Sequence, residues 1–351
     1  MMRSSKQRYL QTSFGGREIV GELSDRRTQT EKRINQLSEH LEPAEKIAAG
    51  KASVYATGSF GRREASQSSD LDLFIVGKPG DIDDKGKEKR PLSKLDEILV
   101  KAKLIELTRD LGIKDFSGDG RYLVYYSVQD LTSTLGTPDD DVLNTFTARL
   151  LLLLESFPLV ERGVYEDVIK QVIDAYWRDF EDHSSSFMPA FLANDILRLW
   201  RTFCVNYEAR TVRVPEIEKA KGKTTNYKLK HSRMLTCYSA LLYLLAVYVE
   251  KGTVQQADAF HMTQLTPTSR LDWLSSHEGA ASARSVLEKL LSKYEEFLAT
   301  TSDGDSKLIE RFMDREQSHR LMNAAYEFGD LMFDALAAIG GSNRFYRLLV
   351  V

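Results

Sequence analysis

The run Leu71-Asp72-Leu73-Phe74-Ile75-Val76, entered through Ser69-Asp70, constrains this chain more than any other segment. A short β-prone stretch of this kind reads as a mostly buried strand. Side chains alternate along a strand, so Asp70 and Asp72 point the same way while Leu71 and Leu73 enter the core. Two carboxylates side by side suit Mg²⁺, which takes hard oxygen ligands, one or two carboxylates plus substrate phosphates, and water in its remaining positions. Upstream, Ser53-Val54-Tyr55-Ala56 reads as a second short strand that ends at Gly58-Ser59 and turns into a helical segment. Gly58 lets backbone amides approach a phosphate closely, and the Ser59 hydroxyl adds a hydrogen bond. Taken alone, Asp-x-Asp after a Gly-Ser turn also describes an ordinary strand edged by solvated carboxylates, so the reading rests on the joint pattern.

That pattern, Gly58-Ser59-Phe60-Gly61-Arg62 with Glu64, then Ser69-Asp70-Leu71-Asp72-Leu73, resembles the signature of the DNA polymerase β-like nucleotidyltransferase superfamily. Its form is most similar to the nucleotidyltransferase core of the PII uridylyltransferases and glutamine synthetase adenylyltransferases. The resemblance covers roughly residues 50 to 130 and does not extend to the long hydrolase and regulatory domains of the PII enzymes, so their substrate does not carry over. It implies a small mixed sheet, a metal-bound nucleoside triphosphate and a third carboxylate from a later strand. Asp119, ahead of Tyr122-Leu123-Val124-Tyr125, is the preferred third carboxylate, with Asp115 and Asp130 as alternatives. Turn chemistry also selects Asp between Gly118 and Gly120.

With 351 residues, 42% hydrophobic and 28% charged, the chain is large enough for two domains. Cys204 and Cys237 lie in apolar helical surroundings and read as buried reduced thiols, which fits a cytoplasmic protein. Met1 to Leu10 carries charge with no apolar core after it, against a signal peptide. The apolar run from Cys237 to Val249 is short for a membrane span and reads as a core helix. A net charge of −3 leaves no global footprint for nucleic acid, so any such contact needs a local patch.

The expected fold class is α+β: a small mixed-sheet nucleotidyltransferase domain with an N-terminal helix over residues 1–135, then an α-helical domain over 136–351. Residues 25 to 49 read as a helix packing on the sheet, Gly77 to Pro91 as an exposed loop, Leu92 to Leu111 as a helix and Arg121 to Val128 as a strand. Helices follow near 142–157, 165–182, 187–208, 226–250, 284–300, 305–314 and 317–339. Asp139-Asp140-Asp141 suits the first turn of a helix, where its dipole favours acids.

Two stripes of the helical half carry polar groups its core does not require. Asn194, Arg198 and Arg201 recur at i, i+4 and i+7, and Lys221, Lys223, Lys228, Lys230 and Arg233 follow one another with no acid between them. Related nucleotidyltransferases draw basic and hydroxyl groups for the triphosphate from a helical domain. By that resemblance Lys228, Lys230, Arg233 and Ser232 are candidates, beside pairing with local acids or a solvated loop. Arg62 is open to phosphate binding or to an ion pair with Glu64.

The expected activity is transfer of a nucleoside monophosphate from a nucleoside triphosphate to an acceptor hydroxyl. Asp70, Asp72 and Asp119 would hold two Mg²⁺, with Mn²⁺ able to substitute, and Gly58, Ser59, Arg62, Lys228, Lys230 and Arg233 would bind nucleotide. A protein side chain is the favoured acceptor, ahead of an RNA 3′ end and a nucleotide. The alternative is a non-catalytic nucleotide-sensing or toxin-partner module on the same fold. Base choice and oligomeric state leave no motif.

Overall fold

In a computed structural model, which describes residues 21–351 apart from 68, 83, 85–87, 114–115, 117–119, 121–122 and 210–214, the two β-prone runs pair antiparallel. They are β1 (Ala52–Thr57) and β2 (Asp72–Gly77), in register from Ala52 opposite Gly77 to Thr57 opposite Asp72. A two-stranded hairpin, β3 (Asp81–Ile82) with β4 (Glu88–Lys89), interrupts the expected loop. Next, β5 (Tyr125–Ser127) joins β2 in parallel and β6 (Phe157–Val160) joins β1 antiparallel, so the sheet is mixed, in the order β5-β2-β1-β6.

The helices that support this sheet first are α1 (Glu22–His40), α2 (Glu42–Ala48), the single turn α3 (Gly58–Gly61), α4 (Lys94–Asp110), α5 (Val128–Ser133), α6 (Asp139–Val142), α7 (Thr145–Leu154) and α8 (Arg162–Tyr176). The helical half continues through α9 (Ala190–Glu208), α10 (Glu216–Lys228), α11 (Met234–Lys251), α12 (Gln256–Gln264), α13 (Pro267–Ser276), α14 (Arg284–Thr301), α15 (Asp305–Met313), α16 (Arg315–Gly340) and α17 (Arg344–Val350). The single helix expected over 25–49 breaks at Leu41, because Pro43 starts a new helix well but cannot continue one. The expected helix over 142–157 likewise stops at Leu154, and Phe157-Pro158 becomes strand. Without an N–H, Pro158 is tolerated there because β6 is an edge strand.

Two cores share the sheet. Leu73 and Ile75 of β2, with Val54 and Ala56 of β1, face Ile34, Leu37, Val100 and Leu104 of α1 and α4. Their alternating neighbours Tyr55, Phe74 and Val76 face the helical half, where Tyr55 stacks on Phe74 at 5.6 Å and meets Tyr165 of α8 at 6.0 Å. The helical half is built round α11, whose residues from Leu235 to Val247 are buried apart from Tyr238. The continuous helical run Glu216–Lys251 is long and apolar enough to cross a membrane, but 72% of its apolar window is buried inside the protein. Cys204 is half-buried and Cys237 buried, both as free thiols.

The buried Arg149 guanidinium is satisfied by its neighbours. Arg149 donates to Asp140 at 2.6 and 3.0 Å, to the Tyr176 hydroxyl at 2.9 Å and to the Leu131 carbonyl at 2.9 Å. Asp140 therefore turns inward to the guanidinium instead of capping its own helix.

Between α10 and α11 the helix widens into a π turn, Leu229–Arg233. This inserts His231 among Phe297, Phe328 and Tyr227, ring centroids 4.6, 5.0 and 4.5 Å away. Burial holds its imidazole at about 4, against the contact with the Tyr227 carbonyl, which raises it. The unfolded chain takes up this proton near 6.5 and the folded protein does not, so stability is complete above that pH and is lost as pH falls toward 4. Relative to His231→Phe, the wild type should lose on the order of 2–3 kcal/mol between those limits in urea titrations. Parallel pH dependence of the two proteins would refute the assignment.

A second prediction concerns the seam between the halves. A Cβ on Gly61 would lie 2.0 Å from the Glu155 carbonyl oxygen and 2.9 Å from that of Ala56, both backbone atoms. Gly61→Ala should cost about 1–3 kcal/mol in urea unfolding. Gly163→Ala, where a Cβ meets nothing, should not destabilise.

Candidate active site

The period of two that sends Phe74 and Val76 toward the helical half sends Asp72 the same way. Asp72 is half-buried at the start of β2, and Asp70, two residues ahead and just outside the strand, is exposed. The register sets Thr57 opposite Asp72, so the residue after Thr57 comes against the aspartate. That residue is Gly58, at φ +64°, and a Cβ there would sit 3.4 Å from the Asp72 carboxylate oxygen. The left-handed backbone selects glycine, and the carboxylate lies at van der Waals distance from the place of a Cβ. The turn beyond it is fixed by the Arg62 amide donating to the Gly58 carbonyl at 2.9 Å and the Glu64 amide to the Ser59 carbonyl at 2.7 Å. Ser59 is half-buried beside this junction. Gly58, Ser59, Asp70 and Asp72 thus gather at one end of the β1/β2 pair.

The carboxylate end of the sheet is also where the chain enters β5. Because β5 runs parallel to β2, with Ile75 opposite Tyr125 and the Ile75 amide on the Val124 carbonyl, Leu123 and Val124 arrive from the Asp72 end. Asp119, the preferred third carboxylate, and Asp115 lie outside the described residues. Asp130 is described and serves a cap: its carboxylate accepts from the Ser127 amide at 2.8 Å, the Ser127 hydroxyl accepts from its amide at 3.1 Å, and Arg90 stands 3.6 Å away. Among the described residues, no group of three His, Cys, Asp or Glu side chains comes together to hold a metal.

Arg62 takes the ion-pair role. Its buried guanidinium donates to Glu64 at 3.1 Å and to Glu155 at 2.7 Å. Burial works against its charge, and the two carboxylates outweigh it and raise its pKa. Glu64 also accepts from the Tyr294 hydroxyl at 2.8 Å, and Glu155 from Thr236 at 2.8 Å and from Arg233. Burial would raise the Glu155 carboxyl, but Arg233 and Arg62 beside it bring it down to about 2. Sequence reasoning missed Glu155. The available signal was a single acid closing the apolar run from Leu150 to Leu154, a position where a carboxylate needs a cation.

The remaining basic candidates part company. Lys228, Lys230 and Arg233 span the π turn Leu229–Arg233 and go to different partners. Lys228 pairs with Asp305, Lys230 lies over the Tyr326 ring at 3.9 Å, and Arg233 reaches Glu155, its guanidinium 5.3 Å from the Phe203 ring. Arg233 alone of the three comes to the network beside α3. The Ser232 hydroxyl donates back to the Lys228 carbonyl at 2.8 Å. Arg198 pairs with Asp141 at 2.6 Å and lies 4.0 Å from the Phe146 ring centroid, while Asn194 and Arg201 are exposed.

Residues 34–119 match the family model of the nucleotidyltransferase domain, a span that takes in α3, both aspartates and the strands that bring them together. No curated protein and no solved structure matches the chain. Residues 34–119 thus match a nucleotidyltransferase domain, which supports a transferase of nucleotidyl groups.

Proposed function

We propose that this protein moves a nucleoside monophosphate from a nucleoside triphosphate to an acceptor hydroxyl and releases pyrophosphate. The observation that carries this reading is the Asp72 carboxylate lying against the backbone of Gly58, with Asp70 and Ser59 at the same end of the sheet. A turn with no side chain beside a pair of carboxylates accommodates a triphosphate on one side and hard oxygen ligands on the other. The donor set fits Mg²⁺, with Mn²⁺ able to substitute, and Asp70 and Asp72 would hold it, joined by Asp119 as the third carboxylate. When bound, the divalent ion neutralises charge on the triphosphate.

The chain's own residues do the rest. Gly58 and Ser59 position the β- and γ-phosphates through backbone amides and the hydroxyl. The acceptor oxygen forms its bond to the α-phosphorus as the bond to the pyrophosphate oxygen breaks, and Asp119 takes the acceptor proton. Glu155 and Arg62 hold the Gly58–Gly61 turn against the helical half, so Arg62 acts on the turn and not on phosphate. Such chemistry depends mostly on positioning, and a rigid turn supplies that. For the acceptor, the sequence resemblance favours a protein side chain, whereas the helical half offers features suited to nucleic acid.

Incubation with each α-labelled nucleoside triphosphate, Mg²⁺ and cell extract should transfer label and release pyrophosphate. Asp70→Ala with Asp72→Ala should lower both by at least about 100-fold, as loss of preorganised charge stabilisation does. Its thermal unfolding should stay near that of the wild type, since Asp70 is exposed and Asp72 only half-buried. A double variant that transfers label at the wild-type rate would sink the proposal.

A further inference from the structure

Helices α10 and α16 lie side by side in the same direction. Lys223 donates to the Ser318 hydroxyl at 2.9 Å, and further along both helices Lys230 covers the Tyr326 ring. Between the two and α15 runs a groove of about 820 Å³. Helical spacing gives each wall its character. Lys219 and Lys223 line the groove on one side and Arg315, His319 and Met322 on the other, and the same helix faces continue to Asn226 on α10 and Tyr326 on α16.

Lys219, Lys223, Arg315 and His319 are exposed, and none of them has a carboxylate partner among the described residues. Two acids line the same groove. Glu216 stands at its start, and Glu316 is already paired with Arg320. Apolar surface lies beside Lys219, Lys223 and Arg315: Met313 on the groove wall is 55% exposed, and so is Tyr326, farther along α16 with Lys230 over one face of its ring. A row of cations beside an aromatic ring and other apolar surface meets the two needs of a nucleic-acid single strand, counter-charge for its phosphates and a platform for unstacked bases. A duplex hides its base faces, and an acidic peptide would leave the exposed ring without a role. The track also leads toward the site. Arg233 lies roughly 20 Å along the helix from Lys219, at roughly 1.5 Å per residue, and reaches Glu155, whose carbonyl packs on Gly61.

We propose that the α10/α16 groove binds single-stranded nucleic acid and directs its 3′ hydroxyl to the Gly58–Asp72 junction as the nucleotidyl acceptor. The acceptor role rests on the transfer reading above, and the binding role does not. Anisotropy of a labelled mixed-sequence oligonucleotide, as RNA, as DNA and as duplex, tests the binding at about 50 and about 200 mM salt. The single strand should bind, and Lys219→Glu with Lys223→Glu should weaken it about tenfold and flatten the log–log salt slope by about 1.4, two phosphate contacts at about 0.7 each. Tyr326→Ala should weaken it about tenfold by removing the stacking platform. The Asp70→Ala, Asp72→Ala variant should bind as tightly as the wild type while transferring no label, which separates the groove from the catalytic reading. Absence of binding at the lower salt, equal binding by the charge-reversed protein or equal binding of duplex would overturn the groove. Label arriving on a protease-sensitive product, with the oligonucleotide bound but unlabelled, would overturn the acceptor assignment. The RNA and DNA arms decide which single strand is preferred.

Discussion

The ion pair between Arg62 and Glu155 joins the sheet to the helical half of this protein, next to the turn that begins at Gly58. Arg62 ends the turn that begins at Gly58, and Glu155 ends α7 just before the chain returns to the sheet as β6. Both groups are buried, and burying two charges costs several kcal/mol each unless geometry and further hydrogen bonds offset it. Here the offset is extensive: Glu64, Tyr294, Thr236 and Arg233 complete the network. Removing one partner would strand the other, so the network specifies one placement of the turn relative to α11. Gly61 allows the same seam to close, because the Glu155 carbonyl occupies the space a side chain would need.

From that seam the site follows by simple geometry. Strand alternation gives the β1/β2 pair two apolar faces, one for α1 and α4 and one for the helical half. Both faces are covered, so the aspartates emerge only where the strand begins and the cover ends. The antiparallel register then brings Gly58 to Asp72 across the sheet. A one-residue slip would turn Asp72 into the α1/α4 core, and the cost of burying that charge is one reason the register is specified.

The parts legible in the sequence were those governed by local rules. Asp70 and Asp72 could be assigned to one face because alternation needs only neighbouring residues, and Gly58 stood out because only glycine adopts its backbone freely. The helix spanning Lys94–Asp110 was legible within two residues at its start and one at its end, its start set by the Ser93 cap. Parts that depend on distant partners were not legible. Pro158 marked the end of a helix, but nothing local announced that Phe157–Val160 would become the fourth strand of a sheet begun a hundred residues earlier. The run of basic residues from Lys221 to Arg233 read as one patch, yet the chain winds it round a helix and sends each cation to a different partner.

By itself the sequence determined the strand, its carboxylate pair, the glycine turn and the helical character of the second half, since each follows from the spacing of residues along a few turns of chain. Tertiary structure alone decided the ion-pair partners of Arg62, Glu155 among them, and the meeting of α10 with α16. Ion pairs and grooves form between elements whose separation in sequence carries no periodic signal, and their partners are selected by burial, where an unpaired charge is too costly to leave.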